Sequence, residues 1–264
     1  MPHSSTSPFP HRIGRRPELP RVAWQPDQWI RITTVLDLAG ATDRIADVGG
    51  RGRQMQALTR VPVVTVNVEE PADVLTSRGE PLPFPDRAFG VVTSCDVLEH
   101  LPSEERHAHL AELVRVARDR LVLCFPHGSP AAMQAERRMR DTIKRDYGVS
   151  LDFLDEHVEL GLPDTEQVAA QLRALDPGGH VEVRWSRGRA MWDEVLVDAM
   201  RARHGKDPRA LARTAHMWFA KRHRPELFDE PGPDAHRAFV VLSRDGGPGH
   251  PPRSGGPGSA FRPR

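Results

Sequence analysis

The sequence predicts an α/β fold, a mostly parallel β-sheet carrying helices on both faces. Helix-like and strand-like patterns alternate through the middle of the chain, which is how parallel sheets are assembled. The apolar strand patterns end in polar or glycine-rich turns, as in IADVGGRGR (Ile45 to Arg53) and VVTVNVE (Val63 to Glu69). With 264 residues the chain is long enough to bury a real core, as one domain or two.

Taken in order, residues 1–22 are rich in Ser, Pro, His and Arg and are expected to be disordered. Arg12, Arg15, Arg16 and Arg21 stand there against Glu18, either as contacts to an anionic surface or as a solvated tail. The folded domain is expected over 23–244. Trp29, Ile30, Ile32, Val35 and Leu36 suggest a helix before the first strand. Strand one is expected at Arg44 to Val48, strand two at Val63 to Val68, and a short strand near Asp73 to Thr76. Strand four follows at Gly90 to Ser94 and strand five at Leu121 to Phe125.

Between these last two strands the helix signals are strong. Pro102 and Ser103 open it, Glu104 and Glu105 suit its positive end, and Leu110, Leu113, Val114 and Ala117 form its apolar stripe. Arg118 and Arg120 are expected near its C-terminus, where the dipole favours cations. A charged helix follows over about Ala131 to Arg145, then the segment LDFLDEHVELGLP. Asp164 starts another helix, with Gln167 as a capping-box partner. Val181 to Trp185 reads as strand six, helices are expected over Met191 to Arg203 and Pro208 to Arg222, and Arg237 to Ser243 closes the fold as strand seven. Residues 245–264, Pro- and Gly-rich and ending Arg262-Pro263-Arg264, are expected to be disordered.

Composition narrows the setting. A formal charge of +1 supplies no overall attraction to nucleic acid or to an anionic membrane, so neither partner is expected. Cys95 and Cys124 are too few for a disulfide framework and lack metal-ligand spacing, which suits a reducing cytosol. No apolar run reaches the roughly 18 residues that a membrane span needs, and the N-terminal arginines precede no apolar segment of the signal-peptide kind. The expectation is a cytoplasmic protein. Its Arg and Pro usage hints at a GC-rich bacterial gene.

The chemistry-bearing positions lie between Ile45 and Pro126. In Asp47-Val48-Gly49-Gly50-Arg51-Gly52 the glycines let the chain turn tightly beside a ligand. The spacing is not the G-x-G-x-x-G of a dinucleotide fingerprint. A polar group at the end of strand two, Asn67 or Glu69, can accept hydrogen bonds from ribose hydroxyls. Then comes Gly79-Glu80-Pro81-Leu82-Pro83-Phe84, leading to Phe89-Gly90-Val91-Val92-Thr93-Ser94-Cys95-Asp96-Val97-Leu98-Glu99-His100-Leu101-Pro102. In order and spacing this stretch resembles class I S-adenosylmethionine-dependent methyltransferases, and most closely the subgroup typed by ubiquinone and menaquinone methyltransferases. The resemblance covers about Trp29 to Pro126, and the remainder only as architecture.

That resemblance implies a Rossmann-like sheet of seven strands, the last antiparallel, with insertions at about 128–163 and 188–235 forming a cap over the acceptor. It implies S-adenosyl-L-methionine as cofactor and a small-molecule acceptor, with oxygen preferred over nitrogen or carbon. Asp47, Gly49, Gly50 and Arg51 would face the cofactor's amino-acid and ribose parts, Asn67 or Glu69 the ribose, Glu80 the adenine, and Cys95 and Asp96 the methionine moiety. The sequence departs from the family where Arg51 and Arg53 replace glycines, Asn67 replaces the ribose acid, Arg78 replaces an adenine-side acid, and Gly90 replaces the acid after Phe89.

His100, and secondarily His127, are candidate catalytic bases, since an imidazole titrates near neutrality. The bland alternative is a histidine that shapes its loop while methyl transfer proceeds by alignment alone. Asp155, Glu156, His157 and Glu159 lack a helical i, i+4 histidine pair, so no metal site is expected. Trp185, Trp192 and Trp218 could line an aromatic pocket, though core packing is the expected role for most of them. Two rival functions remain: a methyltransferase-like scaffold without activity, motivated by the substituted positions, and a nicotinamide-dependent oxidoreductase.

Overall fold

A computed structural model of the chain describes residues 26–52, 54–205, 209 and 226–244. The expectations for 1–22 and 245–264, for Arg53, and for a helix over Pro208 to Arg222 with its Trp218 lie outside the described residues or almost wholly so. Seven strands form one sheet in the order β3-β2-β1-β4-β5-β7-β6. They are β1 (Ile45–Val48), β2 (Val63–Asn67), β3 (Val74–Leu75), β4 (Phe89–Cys95), β5 (Ala117–Pro126), β6 (His180–Arg187) and β7 (Ala235–Ser243). The first five run parallel, and β7 inserts antiparallel to both β5 and β6. The seven-stranded architecture expected from the sequence is therefore the one observed.

Alternation along the strands divides the core in two, because successive side chains point to opposite faces. On one side Ile45, Val63, Val91 and Val122 pack with Ile32, Val35 and Ala39 of α1 (Pro26–Ala39) and Met55 of α2 (Gln54–Leu58). On the other, Ala46, Val64, Val92, Leu121 and Leu123 pack against Leu110, Leu113 and Val114 of α3 (Ser103–Val116) and Val168 and Leu172 of α6 (Thr165–Leu175). Each such side chain contributes roughly 1.5–3 kcal/mol when fully buried, so the two layers hold the parallel strands rigidly beneath their C-terminal ends.

The α3–β5 junction differs from expectation. α3 ends at Val116 and β5 begins at Ala117, earlier than Leu121, because Ala117 already pairs with Phe89 across a register irregularity in β4. Arg118 and Arg120 therefore lie on a strand. The cation–dipole argument still holds for Arg120, but at another helix. Its Nη1 donates to the carbonyls of Leu38 and Ala39, at 2.9 and 3.1 Å, at the end of α1. Arg118 pairs with Asp43 at 2.7 Å. A Cβ on Gly90, in the irregular stretch, would stand 2.3 Å from Thr42 Oγ1 and 2.6 Å from Asp43 Oδ1, so a side chain there must displace them. Crowding, with the Asp43 carboxylate next to it, thus disfavours an acid after Phe89.

Beyond β5, α4 (Pro130–Tyr147) starts with Ser129 Oγ accepting from the Ala132 amide at 3.1 Å, with Pro130 in its first turn, and stops at left-handed Gly148. The acidic segment after it folds as α5 (Asp152–Leu160). Met139 and Ile143 of α4, Leu154 of α5 and Met200 of α7 (Arg189–Arg203) form a separate small core. Arg106 ties α5 back to the main body. Its Nε donates to the Leu101 carbonyl at 3.1 Å, and its Nη2 donates to the carbonyls of Leu160 and Gly161. At the start of α6 the Asp164 carboxylate accepts from the Gln167 amide at 2.8 Å, the forward half of the expected capping box. No helix among the described residues is long and apolar enough to cross a membrane.

Candidate active site

Strand order reverses around β1, and open α/β sheets bind ligands at the strands' C-terminal ends at such a switch point. A cavity of about 1280 Å³ opens there. Asp47, Gly49, Gly50, Arg51, Asn67, Glu69, Glu80, Cys95 and Asp96 all line it, as does His100. His127 does not. Its Nδ1 lies 2.9 Å from Thr165 Oγ1 at the start of α6, and its ring meets Trp185 edge-on. Trp185 is buried in the core, and Trp192 stacks on His236.

The turn after β1 is shaped by close contact. Gly49 has φ +86°, and a Cβ on it would come 2.1 Å from Val97 Cγ2. A Cβ on Gly50 would come 2.0 Å from Asp47 Oδ2. Only glycines let this backbone lie against the acid. Asp47 itself is 5% exposed, and its Oδ1 accepts from Thr93 Oγ1 at 3.1 Å. Burial pushes its pKa up to about 6, against the opposing effect of the Thr93 hydrogen bond.

Asn67 is committed to its own surroundings. Its Nδ2 donates to the Gly50 carbonyl at 2.9 Å, and its Oδ1 accepts from the Val68 amide at 2.7 Å. The amide therefore braces the glycine turn, and a carboxylate could not make the first bond. Glu69, two residues on, reaches the exposed rim and pairs loosely with Arg51 at 3.5 Å. An exposed pair of this kind contributes little to stability, so Glu69 remains available to a ligand.

Asp96, past the end of β4, has φ +52°, unusual for a non-glycine residue. Its carboxylate holds the side chains of Arg31 from α1 and Arg237 from β7, while its amide donates to the Cys124 carbonyl at 2.9 Å. Asp27 completes the group, pairing with Arg237 at 3.1 Å and Arg31 at 3.2 Å. Burial alone would raise the Asp27 pKa, but Arg237, His236 and Arg31 hold it far below the usual carboxylate range. Arg31 Nε is buried without a hydrogen-bond partner, a donor left over beside the cavity. The sequence offered no signal for this cluster, because its members come from α1, the β4 turn and β7.

Glu99, His100, Glu156 and His157 line the same cavity. His100 Nδ1 is 2.5 Å from Glu156 Oε2, and the His100 and His157 ring centroids are 5.2 Å apart. His157 Nδ1 lies 3.3 Å from Glu136 Oε2, and Glu136 in turn accepts from Arg189 Nη2 at 2.8 Å. Glu99 is 1% exposed and its Oε2 has no hydrogen-bond partner. Burial, followed by the charge of Asp96, raises the Glu99 pKa well above the carboxylate range. Burial lowers the pKa of His100, with Glu156 opposing, and brings that of His109 down to about 4. The cavity thus combines a glycine turn and its buried acid with a histidine–carboxylate cluster able to hold a polar reactant.

Comparison with known proteins agrees with this geometry. Residues 49–125 match a family described as a methyltransferase domain. Among solved structures the chain is similar to an S-adenosylmethionine-dependent methyltransferase from Thermotoga maritima described as a possible histamine N-methyltransferase. The two share 12% identity over 85% of this chain and 91% of that one, with a TM-score of 0.51. A methyltransferase dependent on the same cofactor, from Archaeoglobus fulgidus, is similar at 12% identity over 83% and 94% of the two chains, with a TM-score of 0.50. At these identities the similarity establishes the fold. No curated protein matches the chain.

Proposed function

We propose that this chain is a class I S-adenosylmethionine-dependent methyltransferase, a reading supported by the methyltransferase-domain match over residues 49–125, and that it methylates an oxygen of a small-molecule acceptor held beside Glu99, His100 and His157. The observation that carries the proposal is that the glycine turn with its buried acid and the polar cluster of Glu99, His100, Glu156 and His157 line one cavity. The residues present fit the cofactor. Asp47 is a buried acid whose pKa burial raises even against the Thr93 hydrogen bond and the charge of Arg31, suited to a ligand that brings further positive charge. Gly49 and Gly50 leave backbone where side chains would block entry, and Arg31 keeps a spare donor for a carboxylate.

When bound, S-adenosylmethionine supplies a methyl group on an electrophilic sulfonium, and in-line displacement there leaves S-adenosylhomocysteine. This chain's residues hold, orient and dry the reactants. In this reading Glu69 takes the ribose hydroxyls in place of Asn67, whose amide is spent on the turn. Glu80 stands at the adenine side, Asp96 and Cys95 beside the methionine moiety, and α4 and α5 form the acceptor cap. The proton of an acceptor hydroxyl leaves toward the cluster in which Glu156 orients His100.

One observation favours a second acceptor class. Glu99, Glu104, Glu105 and Glu156 all line the cavity, and such a lining suits a cationic amine. The scaffold alternative loses its motivation where Gly90 and Asn67 have structural reasons, and the family match disfavours the oxidoreductase. A cytoplasmic setting belongs to the same proposal, supported by the two free cysteines, and a bacterial one by the Arg and Pro usage.

The test is calorimetry with S-adenosylmethionine, followed by transfer from the methyl-labelled cofactor to a panel of hydroxyl and amine acceptors. Labelled methyl ethers are expected. N-methyl products would move the conclusion to the second reading, and failure to bind the cofactor at high micromolar concentration would sink both.

A further inference from the structure

Glu99 has no reason to be where it is unless something meets it. A buried carboxylate oxygen without a partner costs free energy that native structures rarely leave uncompensated, yet Glu99 Oε2 is buried and unpartnered on the cavity wall. Two imidazoles converge on the same place from separate elements, His100 from the 3₁₀ turn Leu98–His100 and His157 from α5. One ligand atom from each of Glu99, His100 and His157 lies within 4.8 Å of the others. Each ring already meets a carboxylate through Nδ1, Glu156 for His100 and Glu136 for His157. That is the arrangement in which one ring nitrogen is oriented by an outer carboxylate and the other ligates a metal.

We propose that Glu99, His100 and His157 bind a divalent transition-metal cation of the zinc class. Two imidazoles and a carboxylate are a donor set for such ions, and three protein ligands leave a coordination position open. Arg189 fixes Glu136 with a hydrogen bond of 2.8 Å, so the outer support of His157 is itself anchored. The sequence pointed away from a metal because it weighed His157 only with its neighbours on α5. The fold adds ligands from the β4 turn.

The inference deepens the proposed function, whose acceptor end it occupies, by naming a substrate class: a small molecule with a hydroxyl that can enter the open coordination position. Coordination lowers the pKa of a bound hydroxyl strongly, so its proton can pass to solvent water and His100 serves as a ligand rather than as the base. Metal binding itself requires no methyl transfer and can be tested alone.

The experiment is calorimetry of the full chain, freed of metal by chelator, with zinc chloride, alongside S-adenosylhomocysteine titrations and thermal melts of the same samples. One equivalent of zinc is expected at the site. Glu99→Gln, nearly isosteric, and His157→Ala should each weaken it about 100-fold, and Glu136→Gln about 10- to 100-fold, the range for outer-support losses. If His157→Ala fails to fold, Glu99→Gln decides. Equal zinc affinity in wild type and Glu99→Gln would assign the metal to other histidines and overturn the proposal, as would no binding by wild type. Loss of zinc in the variants without any S-adenosylhomocysteine binding by wild type would keep the metal site and discard the cofactor reading.

Discussion

Replacing Asp47 by Asn should make the apo protein more stable and the cofactor complex weaker. The folded protein holds the Asp47 proton up to about pH 6 rather than the ordinary 3.8, because burial disfavours the carboxylate. At about 1.36 kcal/mol per pH unit, that rise corresponds to about 3 kcal/mol. Between pH 3.8 and about 6 the unfolded chain has released this proton while the folded protein keeps it. Stability therefore falls as pH rises through the window and stays low above it. Asp47→Asn removes the ionisation, so at pH 7.5 it should gain at most about 3 kcal/mol, less whatever its new N–H groups cost. At about 2–4 °C per kcal/mol the gain is at most about 12 °C in Tm. The difference from wild type should vanish toward pH 4. A cationic ligand favours the ionised acid, so wild-type affinity for S-adenosylmethionine should climb as pH rises to about 6 and then level. In the variant that slope should disappear and affinity fall about 10- to 100-fold, the worth of a charge-assisted hydrogen bond. The assays are paired melts of the apo proteins from pH 4 to 8 and calorimetry over the same range. A variant that melts lower than wild type at pH 7.5, with a gap that does not close toward pH 4, would refute the reasoning.

Two further substitutions probe the rest of the cavity floor. Asn67→Asp puts an acid at a position where the family usually carries one, yet it removes the donor to Gly50 and sets a carboxylate against that carbonyl. It should destabilise by about 1–3 kcal/mol, read by urea denaturation, and leave cofactor affinity no better; tighter binding would return the ribose role to position 67. Arg237→Ala leaves Asp27 and Asp96 with Arg31 as the remaining guanidinium. Breaking a buried charge group in this way should cost about 3–5 kcal/mol, and a loss under 1 kcal/mol in the same assay would show the cluster to be well solvated.

The fold was largely legible before any coordinates. Strand positions followed from short apolar runs between turns, and β1, β2, β4 and β7 begin and end within a residue or two of their expected bounds. The miss at β5 has a local cause. Ala117 fits a helical stripe as well as a strand, and only its pairing with Phe89 assigns it to the sheet. Candidate residues for cofactor binding were legible for the same reason as the strands: they sit at the C-terminal ends of strands or in the loops that follow, so their position along the chain predicts their position in space. All of them line one cavity, whereas His127, just past β5, faces α6.

What the sequence determined by itself is the α/β sheet and the place of its ligand crevice, because both follow from local periodicity and from glycines and polar groups at strand ends. Tertiary structure alone decided which side chains are already spent and which are left over. Asn67 is consumed by the turn that Gly50 makes, Asp96 by two arginines distant in the chain, while Glu99 keeps one buried carboxylate oxygen, Oε2, without a partner near His157. Hydrogen bonds and ion pairs form between groups that the fold brings within about 3 Å, and spacing along the chain carries no record of those distances.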